Sequence, residues 1–192
     1  TESPRCFARV ATAVTMAMLE TIESLPPPIR RRKRCFVTCV NTLVEAPPVI
    51  DHVHEFIIEL RDYVNDRGLP IEVVELVPDV EQTFWVNLIG RGYPAPIKEF
   101  RWCTDRMKVR PAQKFIKDRP DIFGDPPIVH FLLGTRFDES VTRGKTMERH
   151  SRMGSDIHSH GTISTAGVIR PIEDWDTGMV WEYLLKEDWV NG

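Results

Sequence analysis

The stretch "FRWCTDRMKVRP", Phe100 to Pro111, sets one thiol among cations. Arg101, Arg106, Lys108 and Arg110 all lie within a few residues of Cys103. A cationic neighbourhood lowers a thiol's pKa and favours the thiolate, the form that attacks electrophiles and binds metals. The same cations suit phosphate, whose oxygens accept charge-assisted hydrogen bonds. Three roles are therefore open to Cys103: nucleophile, metal ligand, or small buried side chain beside an anion site. A cysteine-protease role has little support, because no histidine stands nearby in sequence to act as its base.

Two more clusters follow apolar runs. In "GTRFDESVTR", Gly134 lets the backbone pass close to a ligand. Arg136 and Arg143 supply planar, permanently charged donors for phosphate oxygens, and Glu139 is placed to hold one of them. The plainer alternative is a solvated junction with one surface ion pair. In "NTLVEAPPV", Asn41 and Thr42 are of the types that bind a base or ribose edge. Glu45 is placed to cap the next helix, and simple capping is the alternative. His150, His158 and His160 are spaced too loosely for a zinc site, with no cysteine or acidic triad beside them. His52 and His54 cannot share a helical face, and His130 reads as a satisfied strand histidine. The basic run ending at Arg34 reads as a solvated turn before a strand.

The elements that must position these residues follow from apolar periodicity. Val10 to Ile22 is helical, and the prolines after Leu25 end it. Arg34 to Val40 is a short β-prone run. A helix opens at Pro47 and Pro48, with apolar residues three and four apart through Val64, and Gly68 stops it. Ile71 to Val77 is a strand, and Phe84 to Ile89 a short helix. Gly90 to Pro96 is a loop, and Arg106 to Ile116 a helix with an internal proline. Pro127 to Gly134 is an apolar strand, and Thr135 to Gly167 a long polar segment. A strand and turn over "VIRPIEDW" and a helix over "TGMVWEYLLKEDW" complete the chain. This alternation is the α/β signature. Buried strands favour a parallel sheet with helices on both faces. Ligands then sit beyond the strands' carboxyl ends, at "NTLVE", "PDVEQ" and "GTRFDESVTR".

With 192 residues, 42% hydrophobic and 28% charged, the chain can bury a sizeable core. A net charge of -3 excludes an overall basic field. No apolar run is long enough to span a bilayer, and no signal peptide is visible at Thr1. Cys6, Cys35, Cys39 and Cys103 form no paired framework, so a reducing, cytoplasmic setting is expected.

Taken in order, "NTLVEAPPV", "FWVNLIGRGYPAP", "FRWCTDRMKVRP", "HFLLGTRFDESVTR" and "RPIEDWDTGMVWEYL" resemble one family. It is the phosphoadenosine phosphosulfate reductase-like branch of the PP-loop ATP pyrophosphatases, and the likeness is greatest to its DndC- and SspD-type DNA phosphorothioation members. The resemblance implies one adenine nucleotide alpha hydrolase-like (PP-loop) domain over residues 1–192, truncated at both ends. It implies binding of ATP with Mg2+ and cleavage between the α and β phosphates. The adenylyl group would activate a DNA backbone phosphate for sulfur incorporation. A cysteine desulfurase and other sulfur-modification subunits would be partners. No membrane is implied, and homo-oligomer formation is left open.

Carried over residue by residue, Val40, Asn41 and Thr42 match the adenosine-contacting strand end. The family commonly has an acidic residue where this chain has Asn41. Arg136 and Arg143 match the residues near the phosphates, and Arg106 and Lys108 the basic residues after the family's cysteine. Arg136, Arg143 and Lys108 are thereby the catalytic candidates. Cys103 matches the first of four cysteines that hold a 4Fe-4S cluster. The other three would lie downstream, so no cluster is expected in this chain by itself.

Two features depart from the pattern. "TESPRCF" stands where the family has Ser-Gly-Gly-Lys-Asp-Ser, leaving Ser3 and Arg5 as the phosphate-binding types there. No cysteine follows Cys103. A reductase normally carries a catalytic cysteine in a mobile tail, which weighs toward the DNA reading over a sulfonucleotide reductase. An inactive nucleotide-binding scaffold is the third alternative.

Overall fold

A computed structural model describes residues 4–32, 34–97, 100–139, 157–159 and 166–186, without the side chains of 4–9, 139, 158 and 159. Arg143, His150 and His160 lie outside the described residues. The chain divides into two compact units. One comprises Leu25–Gly124, the other Thr1–Ser24 with Asp125–Gly192.

The Leu25–Gly124 unit opens with a short helix α2 (Pro27–Arg30), which follows α1 (Pro4–Ser24) of the other unit in the chain. Strands β1 (Cys35–Val40) and β2 (Ile71–Leu76) then pair in parallel, Cys35 opposite Ile71 and Val40 opposite Leu76. Helix α3 (Pro47–Asp66) makes the crossover between them. Its two leading prolines have no N–H to leave unsatisfied in the first turn. Its buried residues Ile57, Leu60 and Val64 recur at three and four. Gly68 ends it in the left-handed region, φ 59, as its sequence position predicts.

Helices cover both faces of this sheet. His54 of α3 bonds Glu75 on one face. On the other, Phe36 packs its ring on Phe115 and Phe123 at 5.5 and 5.2 Å. Arg119 bonds Glu72 on that same face. Phe115 belongs to α5 (Arg110–Lys117) and Phe123 to α6 (Pro120–Phe123).

Between β2 and α5 lie short helical stretches, separated by a loop over 91–96, and they are not uniformly α. Val86–Gly90 and Asp105–Val109 are π turns, the second lying between α4 (Trp102–Thr104) and α5. The helix therefore begins before Arg106, where sequence placed its start. Pro111 has no N–H, and its ring crowds the carbonyl four residues back. The widened turn just before it accommodates that loss.

In the other unit, β3 (Val129–Leu132) pairs in parallel with β5 (Ala166–Ile169). A two-residue β4 (His158–Ser159) runs antiparallel to β5. It falls inside the long polar segment Thr135 to Gly167, and two residues are too few to give an alternating pattern. Helices α1 (Pro4–Ser24) and α7 (Thr177–Lys186) share an apolar core. Val10, Ala13 and Val14 of α1 meet Ile172, Val180 and Leu184 there. Helix α1 starts at Pro4 instead of Val10, since proline is tolerated in a first turn. No described helix is long and apolar enough to cross a membrane.

Candidate functional site

The parallel strands β1 and β2 end on the same side of their sheet, and each end carries polar residues. Val40, half-buried, is the last residue of β1. Asn41 extends the ladder by donating its N–H to Leu76 O at 2.9 Å. Its side chain is used twice. Nδ2 donates to Glu75 Oε1 at 2.8 Å, and Oδ1 accepts the Leu43 N–H at 2.9 Å. Leu43 then adopts φ 62, a region that non-glycine residues seldom enter.

Thr42 is 2% exposed, and its hydroxyl donates to Glu45 Oε1 at 2.8 Å. Glu45 is thus a partner of Thr42 and not the expected helix cap. Ala46 holds the cap position without a side-chain bond, because two prolines follow and few first-turn N–H groups remain.

Glu75 gathers the strand end together. The Asn41 hydrogen bond holds its carboxyl below the usual range. His54 and Arg61 act the same way, against the opposing effect of burial. Cys39 lies opposite Glu75 in the ladder, and burial followed by that carboxylate pushes its thiol up. Cys39 is therefore a poor thiolate and suits the core role expected of it.

Beyond β2, the chain and the π turn form a second constellation. Arg106 donates from Nη1 to Gln82 Oε1 at 2.5 Å and from Nη2 to Tyr93 Oη at 2.8 Å. Its guanidinium also lies 5.0 Å from the Tyr93 ring centroid, within cation–π range. Arg110 reaches the same Gln82 oxygen at 3.4 Å and pairs with Asp105 at 2.8 Å. Lys114 pairs with Asp79, whose hydrogen bond and charge raise its pKa. A cavity of about 110 Å³ opens among Asp79, Gln82, Arg106, Arg110 and Lys114. The residue types around it favour a small anion.

The two clusters account for part of the residue set that the sequence suggested. Val40, Asn41, Thr42, Cys103, Arg106 and Lys108 all fall in the Leu25–Gly124 unit. Lys108 is exposed, and Cys103 is a half-buried free thiol. Arg110 is one of the cations that the sequence marks as suited to phosphate, whereas Gln82, Tyr93 and Lys114 are not among its candidates, although "PDVEQ" is a strand-end segment. The spacing of 106, 110 and 114 is the signal that finds the cationic face.

Arg136 belongs to the other unit, on the chain after β3. It is 1% exposed. Nη1 donates to Trp175 O at 3.2 Å and lies 3.5 Å from Thr177 Oγ1. Its Nε has no hydrogen-bond partner among the described residues. Gly134 passes close to a helix: a Cβ there would meet Val10 Cγ1 at 2.6 Å and Val10 O at 3.3 Å.

No group of three or more His, Cys, Asp or Glu able to hold a metal occurs among the described residues. The residues around Cys103 therefore do not by themselves fit a four-thiolate cluster.

Comparison with known proteins adds three findings. The family model for the phosphoadenosine phosphosulfate reductase domain matches residues 48–190. An uncharacterized protein of Methanocaldococcus jannaschii is 31% identical over 133 residues, which is 64% of this chain. The match takes in only 25% of that protein's length. The crystal structure of a phosphoadenylyl-sulfate reductase from Candida auris, a phosphate complex, superposes with a TM-score of 0.49 and 16% identity. That superposition covers 93% of this chain and 68% of the other.

Proposed function

Because this chain belongs to the phosphoadenosine phosphosulfate reductase domain family, we propose that it is an enzyme of adenylyl-dependent sulfur chemistry. In detail, it acts as the ATP pyrophosphatase of a DNA phosphorothioation system of the DndC and SspD type. A non-bridging oxygen of a DNA phosphate attacks the α-phosphorus of ATP and releases pyrophosphate. The resulting mixed anhydride makes AMP the leaving group. A persulfide from a cysteine desulfurase partner attacks the activated phosphorus, and AMP departs with the original oxygen. A thiolate reductant then cleaves the S–S bond, supplying two electrons and leaving sulfur on the phosphate.

The observation that carries this reading is the arrangement beyond β1 and β2. A bonded polar turn, Asn41 to Leu43, ends one strand. A cationic face built on Arg106, Arg110 and Lys114 lies beyond the other. Together they offer the nucleoside and phosphate contacts that such chemistry requires. Arg136 and Arg143 are assigned to the phosphates by the family pattern, and Lys108, among the basic residues after the cysteine, is a catalytic candidate with them. Mg2+ would accompany ATP. In a longer chain Cys103 would ligate the iron–sulfur cluster.

A second reading rests on the family's own description. A sulfonucleotide reductase would bind an adenylyl sulfate and reduce its sulfate group.

Both are tested by incubating the protein with Mg2+, α-labelled ATP and DNA, and separately with phosphoadenylyl sulfate and a thiol reductant. The first reading expects DNA-stimulated release of AMP and pyrophosphate. It also expects sulfur-35 to pass from cysteine to DNA when the desulfurase is added. Sulfite release from phosphoadenylyl sulfate, without ATP cleavage, establishes the reductase instead. Nucleotide binding with neither activity identifies a scaffold.

A further inference from the structure

One surface of the Leu25–Gly124 unit combines two features that a small nucleotide does not use together. The first is charge. Arg101 to Lys117 carries six cations (Arg101, Arg106, Lys108, Arg110, Lys114 and Lys117) against a single carboxylate, Asp105. This stands out in a chain whose net charge is -3. Asp105 and Asp79 offset two of these charges and leave Arg101, Arg106, Lys108 and Lys117 in excess. They pair with Arg110 and Lys114 and hold them beside Arg106.

The second feature is a chain of rings joined to that cationic face. Trp85 contacts Phe84 at 5.2 Å, and Phe84 stacks on Trp102 at 5.4 Å. Trp102 meets Tyr93 at 5.7 Å, and Tyr93 meets Phe100 at 6.4 Å. Tyr93 in turn carries the Arg106 guanidinium. The middle of the chain is fixed, with Trp102 6% exposed and its indole N–H bonded to Pro94 O at 2.9 Å. Its ends are open to solvent: Trp85 is 57% exposed and Phe100 45%.

An anchored ring series with open ends offers flat apolar faces at fixed positions. Bases have the complementary flat faces, but only when unpaired. Successive phosphates of a strand match a row of cations. We propose that this surface binds single-stranded nucleic acid, with unpaired bases stacking on Trp85 and Phe100 and the backbone following the cations of Arg101 to Lys117. Such sites combine a basic track with aromatic platforms and tolerate any sequence. The proposal rests on the reading above, in which a polynucleotide phosphate is the acceptor. It adds that the acceptor strand is held unpaired.

The test uses the 192-residue chain and a fluorescein-labelled 12-mer of thymidylate, read by anisotropy at several salt concentrations. The parent should bind it more tightly than a duplex of equal length. Trp85→Ala should weaken binding roughly 5- to 100-fold without changing the salt slope, because stacking releases no counterions. The double variant R110A/K114A should lower that slope by about 1.4, at roughly 0.7 per lost phosphate contact. On an abasic 12-mer, parent and Trp85→Ala should bind alike. Circular dichroism and melting of each variant should match the parent. Tighter binding of duplex, unchanged affinity of Trp85→Ala for thymidylate, or no binding at low salt each overturns the proposal. No ATP or sulfur donor is present. Oligonucleotide binding without AMP release therefore counts against the proposed reaction alone, and the reverse pattern against this surface alone.

Discussion

Arg106 and Arg136 are the same residue type, one in the π turn before α5 and one on the chain after β3, and they live in opposite environments. Arg106 sits on a half-exposed face and is held by side chains, Gln82 and Tyr93, next to a cavity. Arg136 is 1% exposed and is held in part by backbone, through Trp175 O in the turn before α7. A cation gripped by side chains at a surface keeps donor directions available to a ligand. A cation sunk against carbonyls becomes part of the fold, because removing it leaves buried acceptors unpaired. The family resemblance places Arg136 near the phosphates and Arg106 among the basic residues after the cysteine. The geometry adds that Arg136 has a structural load that Arg106 lacks.

Substitutions test that contrast, and the largest effect belongs to Arg136→Ala. It should cost about 2–3 kcal/mol of stability, lowering the melting temperature by roughly 4–12 °C. Arg106→Ala should cost less than about 1 kcal/mol. Calorimetry of the two variants side by side decides the point, and equal losses would erase the contrast.

Next comes the packing that holds the Arg136 segment. Gly134→Ala should cost about 1–3 kcal/mol, since its methyl would press on Val10. Val10→Ala carries a cavity cost of its own, so the comparison is a double-mutant cycle: Gly134→Ala should cost less in a Val10→Ala background than in the parent. An equal cost in both backgrounds would show that the clash is with backbone, not the valine methyl.

Smaller still is the effect at the strand end. Glu75 has a lowered pKa when folded, so its contribution is present above the unfolded value, about 4.3. That contribution is lost as pH falls through the folded pKa. Glu75→Gln should therefore be less stable than the parent at pH 7, by up to about 1 kcal/mol. The two denaturation midpoints should converge as the pH is lowered below 4. Asn41→Ala removes the largest cause of the shift and should flatten the same profile. A constant gap across pH would assign the effect to packing.

The smallest expected effect is at Lys114. Lys114→Ala should leave the melting temperature unchanged at pH 7, because the Lys114–Asp79 pair is solvent-exposed. A measurable loss would give the cationic face a structural role like that of Arg136.

Much of the architecture was legible because periodicity and punctuation report it directly. Ile57, Leu60 and Val64 announce the buried face of α3, and Gly68 its end. The apolar runs at Cys35 and Ile71 announce β1 and β2. What sequence could not report was exchange of partners over distance. Thr42 takes Glu45 away from the helix start, and Gln82 bridges Arg106 and Arg110 across more than twenty residues. Burial of Arg136 was equally hidden, because a Gly-x-Arg triplet reads the same at a surface or beneath a turn. The β4 pairing gave no signal either, being two residues long.

The π turn at Asp105–Val109 gives the cationic face a place where length can change. Arg110 N–H reaches back five residues to Asp105 O, so this turn holds one residue more than an α turn. Deleting Lys108 would close it to an ordinary α turn and leave Arg110 and Lys114 facing Gln82 and Asp79. A residue gained or lost within α5 has no such slack and would rotate everything after it by about 100°. Change of length in this segment is therefore better absorbed at the π turn than in the regular helix that follows.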